Sequence, residues 1–578
     1  MNTARRIWSI LLPGQRRAAI VLFALVLVGT AIETVSVGLV VPALAFMSRG
    51  TQVSGSQLNA WLEWLGNPSP NRLIVLVLVG LLAVYAVKSV FLLFVAYWQS
   101  RFVAATQAST SRRLFAIYLA QPWTFHLQRQ PAALFRTINE SMEFSRICGL
   151  FLMTISEALV LSGLVGLLLW FEPTGAIVVA GMLGAAAWLF QLVSRPRARR
   201  WAETQQHHAK TIITQVQQTI GGAKVIKIRG CEREFNEQFR HHVDGQAKVM
   251  AMQELTHKVP RLWFELLAVA ALLLLTEVMI WHGTPADQLI PMLGLFATVA
   301  FRMLPSVNHM TAAMSRLGSS EPLLESLVKE LRLADSLPPA GSSVSMPFRD
   351  SITLENVAYR YPGGEAEVLS QISIRIPHGA SAGFVGGSGA GKSTLVDVIL
   401  GLLPPSNGRV MVDGDDIHAN LRGWQNEIGY VPQSIYLCDE SIRRNVAFGV
   451  PEDAIDDAAV RRALKAAQLD EYVASLPAGA DTPVGERGMR LSGGQRQRIG
   501  IARALYHDPK VLVLDEATSA LDSETEKGVM AAVNALHGTK TLIIVAHRLT
   551  TVADCDILFR LETGRVVQTG SFADVISP

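Results

Sequence analysis

The sequence predicts a membrane α-helical domain of six transmembrane helices fused to a soluble α/β domain with a largely parallel sheet. Three observations carry this expectation. Half of the 578 residues are hydrophobic and only 17% are charged, and the mean hydropathy of +0.29 is too apolar for an ordinary soluble protein. The apolar excess lies before residue 310, in runs that meet or approach the ~20 residues needed to cross a bilayer as a helix. Beyond Leu337-Pro338-Pro339-Ala340-Gly341-Ser342-Ser343, short β-branched runs such as Ser381–Val385 and Val511–Leu514 alternate with helical segments. The expected division is 1–335 for the membrane domain, 336–350 for a linker and 351–578 for the α/β domain.

The composition excludes a disordered chain, a collagen and a disulfide-rich secreted scaffold. A net charge of +4 is too mild to argue for nucleic acid and fits a membrane protein with Lys and Arg in its cytoplasmic loops. Cys148, Cys231, Cys438 and Cys555 are scattered, with no CxxC and no metal spacing, so they read as buried or incidental thiols.

In chain order, the spans cover about Ala18–Met47, Leu73–Trp98, Ile147–Phe171, Thr174–Ser194, Leu262–Trp281 and Leu289–Val307. The first has no A-x-A-like cleavage site, and its apolar run is longer than the roughly 7–15 residues of a signal peptide. Arg5, Arg6, Arg16 and Arg17 precede it. Arg101, Arg112, Arg113, Arg129, Arg136 and Arg146 follow the second span, and Arg195 to Arg229 carries a further basic set after the fourth. The short loops Phe171–Thr174 and His282–Asp287 carry no Lys or Arg. The positive-inside rule therefore places both termini and the α/β domain in the cytoplasm, on a multi-pass protein of the cytoplasmic (inner) membrane. The two basic connections are too long for turns and poor in Gly and Pro, so they read as helices continuing into the cytoplasm. In the first external loop Leu58, Trp61, Leu62 and Leu65 form an amphipathic stripe, suited either to the outer membrane surface or to packing on protein.

The chemistry lies in the second half. Gly386-Gly387-Ser388-Gly389-Ala390-Gly391-Lys392-Ser393-Thr394 fits G-x-x-x-x-G-K-[ST] between a strand and a helix. Its glycines let backbone N–H groups close around phosphates at a helix N-terminus. Lys392 reaches the β- and γ-phosphates and Ser393 ligates Mg²⁺. Val511-Leu512-Val513-Leu514-Asp515-Glu516 ends an apolar strand in two carboxylates, with Asp515 placed to hold Mg²⁺ and Glu516 to polarise the attacking water. Such a strand end says little alone and much beside a phosphate loop.

Leu491-Ser492-Gly493-Gly494-Gln495 resembles the signature sequence of ABC-transporter ATPases. The rest of that family's pattern follows in order: Tyr361 before Pro362-Gly363, Gln433 in Tyr430-Val431-Pro432-Gln433, Ser519-Ala520-Leu521-Asp522, and His547 in Val545-Ala546-His547-Arg548. The resemblance implies that Tyr361 stacks on adenine and that Gln433, Asp522 and His547 belong to the Q-loop, the D-loop and the switch. Gln433 is expected to serve both Mg²⁺ and catalysis. Ser492, Gly493, Gly494 and Gln495 of one copy would close over ATP held by Lys392 of another, in a homodimer. Thr482 to Gly488 resembles the x-loop of ABC exporters, and the order of membrane half then ATPase fits an exporter half-transporter. Leu119–Phe125 and Gly221–Lys227 look like the stretches around the family's coupling helices. Cys438 departs from the usual Leu-Phe after the Q-loop.

Ionisable residues inside spans are costly and mark function. Here they are Glu33, Lys88, Glu157, Glu265, Glu277 and Arg302, with Arg261 at the edge of the fifth span. Ile32-Glu33-Thr34, Pro260-Arg261-Leu262 and Phe301-Arg302-Met303-Leu304-Pro305-Ser306, with the external amphipathic stripe, resemble the PglK-type flippases of lipid-linked oligosaccharides. That resemblance implies that Lys88, Arg261 and Arg302 attract the pyrophosphate of a lipid carrier. Lys88 stands where arginine is usual and lacks its bidentate fork. The alternative for these cations is to pair with the span carboxylates as struts between helices. For the whole chain the alternatives are an exporter of peptides, drugs or other lipids and a membrane-anchored regulatory ABC ATPase. Six spans and the x-loop disfavour the last.

Overall fold

The computed structural model describes residues 2–40, 43, 70–129, 131–171, 173–281, 286–337, 344–517, 523–546 and 548–576. It divides into two compact units, Met1–Ala120 with Pro131–Ser336, and Gln121–Gln130 with Leu337–Pro578. The amphipathic stripe at 58–65 and the end of the first span lie outside the described residues.

The first unit is all helix. Its elements are α1 (Asn2–Ile10), α2 (Pro13–Gly38), α3 (Pro70–Ala120), α5 (Pro131–Phe171), α6 (Pro173–Gly221), α7 (Ala223–Arg229), α8 (Glu232–Trp281), α9 (Ala286–Ser319) and α10 (Glu321–Leu331). The short α4 (Trp123–Gln128) belongs to the second unit. Five of the expected spans lie within the long helices α3, α5, α6, α8 and α9, and the first lies in α2 as far as Gly38. By length and composition alone, three helical stretches among the described residues qualify to cross a membrane: Pro13–Gly38, Ile74–Ala120 and Ala133–Trp170.

At 51 residues, α3 is about 75 Å long, far more than a ~30 Å hydrocarbon core requires. The arms expected from the basic connections are therefore continuous with the spans. α6 runs straight through Pro196, although proline removes one helical N–H donor and crowds the preceding turn. α7 ends where Gly230 takes φ 65°, the left-handed stop that glycine supplies.

Why these helices associate is visible at one seam. Val37 of α2, Leu164 and Leu168 of α5, and Leu295, Phe296 and Val299 of α9 are buried together. Gly163 of α5 lies so close to Thr34 of α2 that a Cβ there would sit 2.4 Å from its Oγ1. Large apolar side chains such as Leu82, Leu93 and Trp170 face outward, as lipid-facing positions do. The sequence reading gave residues 2–10 no structure, yet they form α1. Ile7 and Ile10 are buried, Arg6 pairs with Glu321 and Glu325 of α10, and Arg113 donates to the Ile10 carbonyl at 2.9 Å.

The second unit carries two sheets. An antiparallel sheet has the order β2-β1-β4-β5, with β1 at Ser351–Tyr359, β2 at Leu369–Pro377, β4 at Asn407–Val412 and β5 at Asp415–Asp416. A six-stranded sheet has the order β10-β9-β3-β8-β7-β6, built from β3 (Ser381–Gly386), β6 (Ile428–Val431), β7 (Val511–Asp515), β8 (Thr541–Val545), β9 (Ile557–Glu562) and β10 (Arg565–Gly570). Only β10 runs antiparallel. β3, β7 and β8 are mostly apolar and buried along nearly their whole length, as central parallel strands are. Principal helices are α11 (Lys392–Ile399), α12 (Asp457–Ala466), α13 (Gly493–Leu505) and α14 (Ser523–Asn534). Met346 and Phe348, within the expected linker, are already buried in this unit's core.

Candidate functional site

β3 leads directly into the phosphate loop, and α11 leaves it. Gly386 takes φ 153° and Gly391 takes φ 100°. A Cβ on Gly386 would lie 2.3 Å from the Leu561 carbonyl oxygen, so no larger residue fits. Lys392 is buried, and its ammonium donates to the carbonyls of Gly386 and Gly387, each at 3.0 Å. These bonds hold the cation across the mouth of the loop, beside the N-terminus of α11. The Tyr361 hydroxyl lies 3.1 Å from Thr394 Oγ1, and its ring meets that of Tyr359 edge-on at 5.0 Å.

The two carboxylates stand at the end of β7. Asp515 is hydrogen-bonded by Ser393 and Tyr430, and its Oδ1 is buried with no hydrogen-bond partner. Burial and the neighbouring Glu516 carboxylate raise its pKa, against the pull of those bonds and of Lys392. Glu516 adopts φ 49°, a left-handed conformation that side chains other than glycine rarely take. Its N–H donates to Val545 at the end of β8 (3.0 Å), and its Oε2 accepts from the Gln433 amide at 2.6 Å. Q-loop and strand end thus meet in one place.

In the signature, Ser492 caps α13. Its Oγ accepts from the Gln495 N–H at 3.2 Å, and the Gln495 side chain accepts from the Ser492 N–H at 2.8 Å, a reciprocal capping box. Ahead of it, Arg490 donates through its backbone to Val484, and Val484 to Glu440, which ties the x-loop stretch to the segment after the Q-loop. The D-loop, Asp522 included, and His547 lie outside the described residues.

Sequence reasoning gave Asp397 and Tyr430 no role. Asp397 follows Ser393 by four residues on α11, so the two share a face. Burial first, and then the Asp515 charge, push its carboxyl up to about 6. The i, i+4 spacing was visible in the sequence; the facing strand end was not.

In the first unit, the span cations come together on one carboxylate. Glu33 of α2 is 3% exposed. It pairs with Arg302 of α9 through the guanidinium Nε and with Lys88 of α3 at 3.7 Å. Nearby, Glu157 of α5 meets His309 Nδ1 at 3.2 Å. Lys88 also lies over the Tyr85 ring at 4.6 Å. Arg302 keeps 31% of its side chain exposed, whereas Lys88 keeps 12%. The Arg261 side chain is outside the described set.

Comparison with known proteins decides the family. The model for the ABC transporter ATPase, described as ABC transporter, matches residues 369–519, and that for the ABC transporter transmembrane region matches residues 20–301. A protein of Cupriavidus pinatubonensis named ATP-dependent lipid A-core flippase is 31% identical over 474 residues, covering 80% of this chain and 79% of its own. One of the same name from Albidiferax ferrireducens is 31% identical over 517 residues, covering 87% of each chain. This chain belongs to the ABC transporter family. A solved bacterial Atm1-family ABC exporter with ATP bound has the same fold at a TM-score of 0.77 and 23% identity, over 97% of this chain and 96% of that one. The ABC transporter described here is an exporter half-transporter, with one membrane region and one ATPase, and it couples ATP hydrolysis to transport.

Proposed function

We propose that this ABC transporter works as a homodimer in the cytoplasmic membrane, with its ATPase and termini in the cytoplasm. It flips an amphipathic lipid whose anionic head, such as a pyrophosphate-linked glycan, passes the Glu33–Lys88–Arg302 cluster. The observation that carries the substrate reading is Arg302, which remains partly exposed after pairing with Glu33. The carboxylates of Glu33 and Glu157 stand against the two cations. Attraction therefore comes from the open guanidinium edge and its fork of donors, not from net charge. The relatives named lipid A-core flippases support a lipid as cargo.

At the ATPase the residues fit Mg²⁺. Asp515 Oδ1 is an orphaned, buried carboxylate oxygen, and Ser393 adds a hydroxyl on the same side. Ser393, Asp515 and Gln433 would hold the ion, which neutralises phosphate charge when bound. Lys392 holds the phosphate chain, Glu516 takes the proton of the attacking water, and Gln433 orients Glu516 through the 2.6 Å bond.

The test of the substrate reading is Arg302→Ala in reconstituted vesicles, assayed for lipid-pyrophosphate glycan flipping and for ATPase. Flipping is expected to fall at least tenfold while basal ATPase persists. Unchanged flipping would place the head group elsewhere or exclude an anionic lipid. Joint collapse with loss of folding would make Arg302 a strut.

A further inference from the structure

A polar cluster that transport chemistry does not use is a set of four histidines on the arms beyond the spans. His207 and His208 lie on α6, past the Arg195–Arg200 basic run, and His241 and His242 lie on α8. His208 Nδ1 and His242 Nδ1 are 3.1 Å apart. The His207 ring centroid lies 5.8 Å from that of His208 and 6.3 Å from that of His242, and the His241 ring lies 5.3 Å from that of His242. The His208 ring stands over Gly245, where a Cβ would meet Cε1 and Nε2 at 2.7 Å. The absence of a side chain at 245 therefore makes room for the imidazole.

We propose that His208 and His242 form a two-nitrogen chelate for a borderline divalent transition metal such as Zn²⁺, Co²⁺ or Ni²⁺, clasping α6 to α8.

Two nitrogens 3.1 Å apart, each at the ~2.0–2.1 Å of a metal–imidazole bond, subtend an angle of about 100° at the metal, near the tetrahedral and octahedral values. Imidazole nitrogen is a preferred donor for this class of ion. The ion is bound by the neutral form of each ring. Among the described residues no three His, Cys, Asp or Glu side chains already converge in a metal-holding arrangement. The protein therefore supplies two ligands as it stands, with water or a rotated His207 or His241 ring filling the rest. The competing use of the same geometry is a proton shared between the two rings.

The experiment uses the full-length transporter purified without a histidine tag and titrated with Co²⁺ and Zn²⁺ by calorimetry and by Co²⁺ absorption. Wild type is expected to saturate at one equivalent per chain. His208→Ala and His242→Ala are each expected to weaken binding at least tenfold. Zn²⁺ is also expected to shield His208 and His242 of the unmutated protein from imidazole acylation read by mass spectrometry, a readout that needs no variant. Absence of a one-equivalent site, equal affinity in the variants, or acylation unaffected by Zn²⁺ overturns the proposal and leaves a shared proton as the role of the pair.

Discussion

Glu516 combines three constraints: a left-handed backbone, an N–H tied to Val545 and a carboxylate bonded to Gln433. A positioned general base contributes ~10²–10⁴-fold. Glu516→Gln is expected to lower ATPase by that factor while ATP affinity, measured by fluorescent-nucleotide titration, is retained. Rates within threefold of wild type would remove the residue from the mechanism. Asp397 yields a pH prediction. Its carboxyl titrates near 6 in the folded protein against a usual 3.8, so the fold favours its neutral form. The resulting penalty is absent below about 3.8, grows through that window and is complete above 6. Discounted for its partial exposure, a shift of this size costs roughly 1–2 kcal/mol. Asp397→Asn is therefore expected to raise the apparent Tm of the nucleotide-free, Mg²⁺-free protein by about 2–5 °C at pH 7.5. That gain shrinks as pH falls from 6 towards 4. The motif residues were legible because phosphate chemistry demands fixed types at fixed spacing. Asp397 was not, because its significance comes from a strand more than a hundred residues away.

At the scale of elements, the sequence revealed where helices cross apolar surroundings but not how they meet. That Lys88 and Arg302 converge on Glu33 depends on α2, α3 and α9 lying side by side, which no local pattern encodes. α1 escaped for a different reason. It is only nine residues long, too short for periodicity to stand out, and partners distant in sequence hold it. The close passage of α2 and α5 at Gly163 yields a sharp expectation. Thr34 Oγ1 is bonded to the Thr30 carbonyl at 2.8 Å, so it cannot swing away freely from an added side chain. Gly163→Val is expected to cost ~1–3 kcal/mol through overpacking. The measurement is thermal inactivation of the detergent-solubilised protein, with nucleotide affinity of the ATPase unchanged. An unaltered inactivation temperature would mean that the two helices can separate at no cost.

For the whole molecule, one chain carries one phosphate loop and one signature, so the proposed composite site needs two copies. Lys392→Ala and Ser492→Arg chains are each expected to be inactive. Mixed, they form dimers in which an intact phosphate loop faces an intact signature, and ATPase should reappear. No activity above that of the separate variants, or an active monomer by native mass, would reject the dimer. The two-unit plan was plain from composition alone, since a bilayer and a parallel sheet impose different hydrophobic periods. The grouping of Gln121–Gln130 with the ATPase unit is a tertiary fact that the local sequence could only suggest by resemblance.

The capping box at Ser492 also sets a polarity. The serine oxygen accepts a hydrogen bond from the Gln495 N–H of its own helix, and its hydroxyl hydrogen has no acceptor among the described residues. Accepting one bond strengthens the donor on the other side, and that donor stands at the positive end of α13. The serine hydroxyl and the first-turn N–H groups of α13 that the capping box leaves unused therefore make an edge that favours oxyanions over ammonium groups. In the proposed dimer, each such surface faces a phosphate loop that is likewise rich in N–H groups and a lysine. Two donor surfaces repel unless something rich in lone pairs lies between them. A terminal phosphate is such a filling. Its hydrolysis and departure would turn adhesive into repellent, which gives the ATPase a built-in reason to reopen after each turnover.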